Sequence, residues 1–281
     1  MKLIPGTENN VETLLTVARL ASSAGATVLA GRGSGRLDAS ADTKSAAGDW
    51  ATDFDRGAEQ AVRQVLSTFR PRDVLSGEEY PDAVPEEHSA YRWSIDPLDG
   101  TANFVRGLPH YATSVAVFGP GPDGAPAWLA GAVTAPVLGL VYYAAAGQGA
   151  FAAPWSVDHT EPQPGQPRRL TGPDPASDAP ILASGFGYDP ARRDFQAAAL
   201  AALVPHFANV RRLGSAALDL CLVADGVLDA YAEFGTMEWD WAAGALIAQE
   251  AGAPVTRPVS GPGWQTAGAV DPAWLLQPGA N

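Results

Sequence analysis

Residues 93–104 read Trp93-Ser94-Ile95-Asp96-Pro97-Leu98-Asp99-Gly100-Thr101-Ala102-Asn103-Phe104. Upstream, Tyr91–Ile95 predicts a short strand, and two carboxylates three residues apart leave its end together. Pro97 stiffens the turn, and Gly100 permits an unusual backbone or the close approach of a ligand. Thr101 then opens a short helix, Ala102–Arg106. The free N–H groups and positive dipole end of a helix N-terminus suit a phosphate. Carboxylates beside a phosphate make chemical sense only with divalent cations between them, and hard oxygen ligands select Mg²⁺ or Mn²⁺ over Zn²⁺. Taken alone, Asp96–Thr101 also reads as a rigid turn.

Working outward, Val11–Leu29 carries apolar residues at helical spacing and predicts a first helix. Gly31–Asp42 is rich in Gly and Ser and reads as a loop. Asp53–Phe69 predicts a second helix with Ala58, Ala61, Val62, Val65 and Leu66 on one face. Asp73–Ser76 reads as a strand ending at Gly77. Tyr111–Phe118, Ala127–Val133 and Leu138–Ala144 predict three strands that pair as a meander. Ser156–Pro180, full of Pro, Gly, Asp and Gln, is a long surface connection with room for one short strand. Beyond it the pattern restarts with strand Ile181–Ser184, helix Asp194–Leu203, strand Val210–Leu213, helix Ala216–Ala224, strand Val227–Glu233 and helix Trp241–Ala251. Alternating strand and helix predicts a layered α/β body. It divides into an N-terminal half (1–155), a connection (156–180) and a C-terminal half (181–281), expected to work as one unit. The tail after Gly261 predicts no convincing terminal helix.

Further acidic groups lie near predicted element ends. Gly77-Glu78-Glu79 follows a strand, Trp239-Asp240-Trp241 stands at the start of a helix, and Asp49 and Asp55 frame Thr52-Asp53. A carboxylate set beside large apolar rings is costly unless paired or metal-bound. Singly, Asp55 and Asp240 also read as helix caps, and Glu78-Glu79 as a solvated loop.

Composition narrows the partners. The 281 residues contain 18 Lys and Arg against 31 Asp and Glu, a net charge of −13. Such a balance gives no general footprint for nucleic acid. At 46% hydrophobic residues the chain can bury a sizeable core, which excludes disorder throughout. One cysteine, Cys221, rules out an internal disulfide and suits a reducing compartment. Within its apolar run it reads as a buried thiol. Met1–Asn10 lacks the basic and apolar regions of a signal peptide, and no run reaches the ~18–20 apolar residues of a membrane span. A cytoplasmic protein, bound to neither membrane nor nucleic acid, is the expectation. His88, His110, His159 and His206 are scattered and read as solvated or locally hydrogen-bonded. Arg192-Arg193 and Arg211-Arg212 read as solvated basic pairs, one of which could assist substrate or subunit contact.

At these residues the chain resembles the inositol monophosphatase family of Mg²⁺-dependent, Li⁺-sensitive phosphatases. Trp93–Phe104, continuing to Pro109 and Ser114, is similar to the family's first signature. Trp239-Asp240-Trp241-Ala242-Ala243-Gly244, through Glu250-Ala251-Gly252, is similar to its second. Gly77-Glu78-Glu79 matches the acidic loop, and Arg212-Leu213-Gly214-Ser215-Ala216-Ala217 the substrate-side segment. Ala253 stands where a second Gly is usual, and Ser215 where many members have Thr.

The resemblance implies an αβαβα sandwich acting as a phosphatase on myo-inositol monophosphate, a small-molecule phosphate ester. It implies that Glu78, Asp96 and the Leu98 carbonyl bind a first Mg²⁺, and that Asp96, Asp99 and Asp240 bind a second. Glu78 would also lie near a third ion, and Mn²⁺ could substitute. It implies that Asp55 hydrogen-bonds Thr101, whose hydroxyl orients the attacking water, with Glu78 also in the catalytic set. Gly100 and Thr101 would hold the phosphate, and Asp99, Ser215, Ala216 and Glu233 the alcohol side of the substrate. Lys44 and Asp49 would lie on a loop near the metals, and the protein would be a homodimer.

Within the same superfamily, histidinol phosphate, fructose 1,6-bisphosphate, a 3′-phosphoadenosine nucleotide and NADP remain alternative substrates. A haloacid-dehalogenase-type phosphatase would need D-x-D-G-T, one residue shorter than the D-x-x-D-G-T found here. A non-enzymatic metal-binding scaffold is a further alternative, which the complete set of Asp55, Glu78, Asp96, Asp99, Thr101 and Asp240 opposes.

Overall fold

The computed structural model describes residues 10–33, 37, 42–43, 50–157 and 166–278. Helix α1 spans Val11–Ala30, and Asn10 caps it by accepting a 2.8 Å hydrogen bond from the Thr13 N–H. Its buried stripe (Leu14, Val17, Ala18, Ala21, Ala26 and Leu29) recurs at helical spacing. By length and composition alone α1 could cross a membrane. Arg19 and several Ser and Thr residues interrupt its apolar run. Here its apolar stripe is buried against helix and sheet. Two short strands, β1 (Asp42–Thr43) and β2 (Trp50–Ala51), pair antiparallel. They precede α2, which spans the predicted Asp53–Phe69.

A seven-stranded sheet follows in chain order: β3 (Val74–Gly77), β4 (Arg92–Asp99), β5 (Ala112–Pro120), β6 (Pro126–Ala135), β7 (Leu140–Ala145), β8 (Gly149–Pro154) and β9 (Arg168–Arg169). Only β3 and β4 are parallel; the rest pair antiparallel, so the predicted meander forms. Helix α3 (Thr101–Arg106) lies between β4 and β5. The second sheet has five strands: β10 (Ile181–Ala183), β11 (Asn209–Arg211), β12 (Ala230–Phe234), β13 (Val255–Thr256) and β14 (Trp264–Gly268), in spatial order β11-β10-β12-β14-β13. Its helices are α4 (Pro190–Leu203), α5 (Ala216–Ala224) and α6 (Glu238–Glu250).

Burial fixes the layers. Leu14, Val17, Val62 and Leu66 of α1 and α2 pack with Trp93, Val115 and Leu129 on one face of the large sheet. Its other face meets α5 and α6 through Ala116, Val133, Tyr142, Leu218, Leu220 and Leu246. Helix α6 also contacts β14, so α5 and α6 are sandwiched between the sheets. On the far side, Ala199 and Leu203 of α4 cover Leu182, Ala230 and Trp264. The result is the expected αβαβα sandwich.

Several boundaries move for physical reasons. Strand β4 does not stop at Ile95 but runs through Asp99, with a register shift against β5 between Asp96 and Asp99. At such an irregularity the missing N–H of Pro97 is tolerated, and its carbonyl accepts from Thr113 Oγ1 at 2.9 Å. Helix α4 starts at Pro190 rather than Asp194, because Asp189 caps it and a proline suits the first helical position. Helix α6 starts at Glu238, which makes Asp240 its third residue rather than its opener. Strand β8 is unforeseen because Ala and Gly carry little strand signal. Strand β14 pairs fully with β12, so the tail contributes to the second sheet. No α-helix follows it among the described residues, as expected. A single 3₁₀ turn, Pro272–Trp274, comes next, and the Trp264 indole donates to the Leu276 carbonyl at 2.8 Å.

Candidate active site

The C-terminal end of β4 opens into a cavity of about 410 Å³ between the two sheets. Glu78, Asp96, Leu98, Asp99, Gly100 and Thr101 reach it from the first sheet's side. Ser215, Ala216, Glu233 and Asp240 reach it from the second sheet and the middle helices. Residues from separate parts of the chain therefore meet here, as the resemblance implies. Asp55 stands behind the wall, fully buried. Lys44 and Asp49 lie outside the described residues.

Helix α2 holds one end of the arrangement. Thr52 caps the helix, and Asp55 at its third position closes a capping box. Asp55 Oδ2 accepts from the Thr52 N–H at 2.7 Å and the Thr52 hydroxyl at 2.6 Å. Its Oδ1 faces the Thr101 hydroxyl at 3.0 Å. That hydroxyl also lies 3.0 Å from the Leu98 carbonyl, so its one proton is shared between two acceptors.

The turn before Thr101 needs glycine. Gly100 has φ +96°, and a β-carbon there would lie 2.9 Å from the His110 carbonyl oxygen. Gly214 opposite also has φ +96°, and its β-carbon would collide with the Arg212 guanidinium. Asn103 joins the two segments, its Nδ2 donating to the His110 and Leu213 carbonyls at 2.7 Å each.

Three of the carboxylates are oriented by protein donors. Asp96 Oδ1 accepts from the Leu98 N–H at 3.0 Å. Asp99 Oδ2 accepts from Ser215 Oγ at 2.7 Å and the Ala217 N–H at 2.6 Å. Asp240 Oδ2 accepts from the Met237 N–H at 2.7 Å. As these side chains stand, no group of three His, Cys, Asp or Glu among the described residues closes around a single ion position. Burial dominates the electrostatics of the acidic groups around the cavity. Burial pushes Asp99 up to about 6, against the hydrogen bonds from Ser215 and Ala217 that oppose it. Burial, then repulsion from Asp99 and Glu78, raises Asp240 well above the usual carboxylate range. Burial also pushes Glu233 up to about 7, although the Tyr231 hydroxyl donates to it at 3.0 Å. Asp55 is raised chiefly by burial. Carboxylates crowded together out of water favour their protonated forms unless a cation enters. The wall carries neither histidine nor cysteine among the described residues, an oxygen-only donor set that suits Mg²⁺ or Mn²⁺.

The sequence pattern misses several cavity residues. Arg192 and Arg212 line the wall, Arg192 half-buried and Arg212 exposed like Arg193 and Arg211; single-sequence charge pairs cannot show which member faces the cavity. Gly185 approaches Glu233 so closely that a β-carbon would overlap the carboxylate. His110 is locally paired as expected, its Nε2 lying 3.0 Å from Asp219 Oδ1. Glu59 is also missed. It lies four residues after Asp55 on the same helix, a spacing that puts both on one face.

The profile of the inositol monophosphatase family matches residues 10–275. The Mycobacterium tuberculosis protein named inositol-1-monophosphatase SuhB is 43% identical over 229 residues, covering 80% of this chain and 73% of the relative. A Pasteurella multocida protein named Nus factor SuhB is 35% identical over 240 residues, covering 85% and 83%. Among solved structures, Mycobacterium tuberculosis SuhB superimposes with a TM-score of 0.73 over 93% of each chain, at 35% identity. An inositol monophosphatase from Anabaena gives 0.71 at 28% identity, covering 92% of this chain and 91% of that one.

Proposed function

The chain belongs to the inositol monophosphatase family, and on that premise we propose that it is a Mg²⁺-dependent phosphomonoesterase hydrolysing myo-inositol monophosphate. One observation carries the proposal: Glu78, Asp96, Asp99 and Asp240 share a cavity with the Gly100–Thr101 turn, and Thr101 is bonded to a buried Asp55. In this assignment Glu78, Asp96 and the Leu98 carbonyl would hold one Mg²⁺. Asp96, Asp99 and Asp240 would hold a second, with a third near Glu78; Mn²⁺ could replace them. The ions would supply charge neutralisation of the phosphate dianion and a lowered water pKa.

The protein's own groups do the positioning. Donating its proton toward Asp55 leaves Thr101 Oγ1 free to accept from a water molecule and aim it at phosphorus. Asp55, raised by burial, is suited to accept a proton through that contact. The Gly100 and Thr101 N–H groups would hold phosphate oxygens. Glu233 and Asp99, with Ser215 and Ala216, would meet the hydroxyl groups of the leaving alcohol. A homodimer and a cytoplasmic location complete the proposal, the latter fitting a buried, unpaired Cys221.

The name Nus factor, borne by relatives such as the Pasteurella multocida protein, supports a second role in which the same fold serves transcription. The Mycobacterium tuberculosis relative named as a monophosphatase is the more similar of the two by identity, which favours the phosphatase. The test is a panel of phosphate esters with and without Mg²⁺ and Li⁺. Mg²⁺-dependent turnover of inositol monophosphate, inhibited by Li⁺, is expected. A preference of tenfold or more in kcat/KM for histidinol phosphate, fructose 1,6-bisphosphate or an adenosine 3′-phosphate overturns the substrate, and no turnover at all overturns the activity.

A further inference from the structure

Glu59 is fully buried on α2, yet it lines no part of the cavity. Its two oxygens are both spoken for. Oε2 accepts from the Glu79 N–H at 2.7 Å, and Oε1 accepts from Arg63 Nε at 2.7 Å. Arg63 in turn donates from Nη2 to the Tyr80 carbonyl at 3.1 Å, and Gln60 donates to the Tyr80 hydroxyl at 2.8 Å. Three residues on one face of α2 thus grip the segment that carries Glu78, both just after it and two residues beyond. On the other side, Gly77 presses directly on the same carboxylate. A β-carbon at Gly77 would lie 2.6 Å from Glu59 Cδ, and its three nearest atoms would all belong to Glu59. The Gly77 backbone is not left-handed, so the glycine there answers to space rather than to φ.

A buried carboxylate is expensive to desolvate, and burial does raise that of Glu59. Leucine or methionine would fill the volume without that cost. What an apolar residue cannot do is accept the Glu79 N–H and so fix the course of the chain through Glu78. One turn earlier, Asp55 holds Thr101 in the same way. We propose that Glu59 is a positioning residue: with Arg63, it sets where the acidic loop presents Glu78 to the cation site and thereby tunes divalent-metal affinity. This rests on the assignment of Glu78 as a metal ligand.

The test measures Mn²⁺ binding directly, by electron paramagnetic resonance and calorimetry on the full chain without substrate, alongside the Mg²⁺ dependence of turnover. Both partners of Glu59 are N–H donors, and Glu59→Gln offers only one acceptor oxygen. Its affinity for Mn²⁺ should fall about 10–100-fold, as for other groups that orient metal ligands, while turnover recovers at saturating Mg²⁺. A folded Glu59→Gln with wild-type Mn²⁺ affinity overturns the proposal. Should that variant not fold, Gly77→Ala carries the same test by pushing the loop off Glu59. It should lose affinity alone, and lose no more when combined with Glu59→Ala, which removes the atoms it would strike. Strict additivity of the two substitutions overturns the proposal. If the wild-type protein itself binds neither Mn²⁺ nor Mg²⁺, the metal assignment fails instead, a result distinct from both others.

Discussion

Replacing Thr101 by valine removes one hydroxyl and almost no volume. In the folded protein that hydroxyl lies 3.0 Å from both Asp55 Oδ1 and the Leu98 carbonyl. Asp55 is fully buried, so its Oδ1 would lose its donor where no bulk water replaces it. Leaving a buried charged acceptor short of a partner costs on the order of 1–3 kcal/mol. For a domain of this size that lowers Tm by a few degrees, about 2–4 °C for each kcal/mol. Asp55 Oδ2 keeps both Thr52 donors, so the helix cap survives and the protein should fold. Catalysis should suffer far more. Losing the group proposed to orient the nucleophile and pass its proton should cost roughly 10²–10⁴-fold in kcat. Steady-state turnover of inositol monophosphate at saturating Mg²⁺, with calorimetric titration of Mn²⁺, separates the two effects. The expected pattern is a collapsed kcat, an unmoved metal affinity, and activity largely retained in Thr101→Ser. A valine variant that turns over within about threefold of wild type, far inside the range expected for a lost acid–base group, would remove Thr101 from the mechanism.

Other outcomes follow from the same geometry. Asp96→Asn should abolish most turnover and weaken Mn²⁺ binding, because the carboxylate is assigned to both ions; near-wild-type kcat would refute that sharing. Gly100→Ala should damage both folding and turnover, since the new β-carbon meets the His110 carbonyl at 2.9 Å with φ at +96°; a calorimetric Tm equal to wild type would contradict it. Asp99 and Glu233, raised to about 6 and about 7, give a definite sign to the pH dependence. A carboxylate whose folded pKa lies above its unfolded value stabilises the fold at low pH and loses that contribution as pH rises through the folded pKa. The Tm of the metal-free protein should therefore fall between about pH 4 and pH 7 through these two groups. Adding Mg²⁺ should reverse the fall, and Glu233→Gln should remove its upper part. A metal-free Tm that rises steadily over this range in wild type and does not respond to Glu233→Gln would count against both shifts.

Much of the framework was legible because its signals are local. The periodicity of Val11–Leu29 and Asp53–Phe69 marks amphipathic helices that bury one stripe, and both form almost to the residue. The motif Asp96–Thr101 was legible as chemistry, but its backbone was read as a turn where β4 continues, since only the partner strand β5 shows that Asp96 and Asp99 stay paired. Four of the six residues of strand β8, Gly149–Pro154, are Ala or Gly, so its strand character comes from β7 beside it. Residue types alone could not bring Glu78, Asp96, Asp99 and Asp240 together; the resemblance supplied that, and the fold places all four on one cavity. Glu59 went unseen because a lone charged residue on a helix usually faces solvent. Its value appears only when the loop after β3 lies across it.

Helix α6, wedged between the sheets, brings Asp240 to the cavity from near the C-terminal end of the chain, while Asp55 comes from near the beginning. This separation bears on the order of synthesis. A nascent chain that has emerged as far as β9 already owns Glu78, Asp96, Asp99 and Thr101, but lacks α6 and the strands that seat it. On the proposed assignment its three carboxylates would form an open, incomplete chelator, and of the groups assigned to the alcohol Ser215, Ala216 and Glu233 do not yet exist. On that assignment hydrolytic competence would require the middle helices to dock and the second sheet to close. Divalent cation, bound across that closure, would act as a latch on the finished molecule, so that partial translation products carry no stray phosphatase activity into the cell.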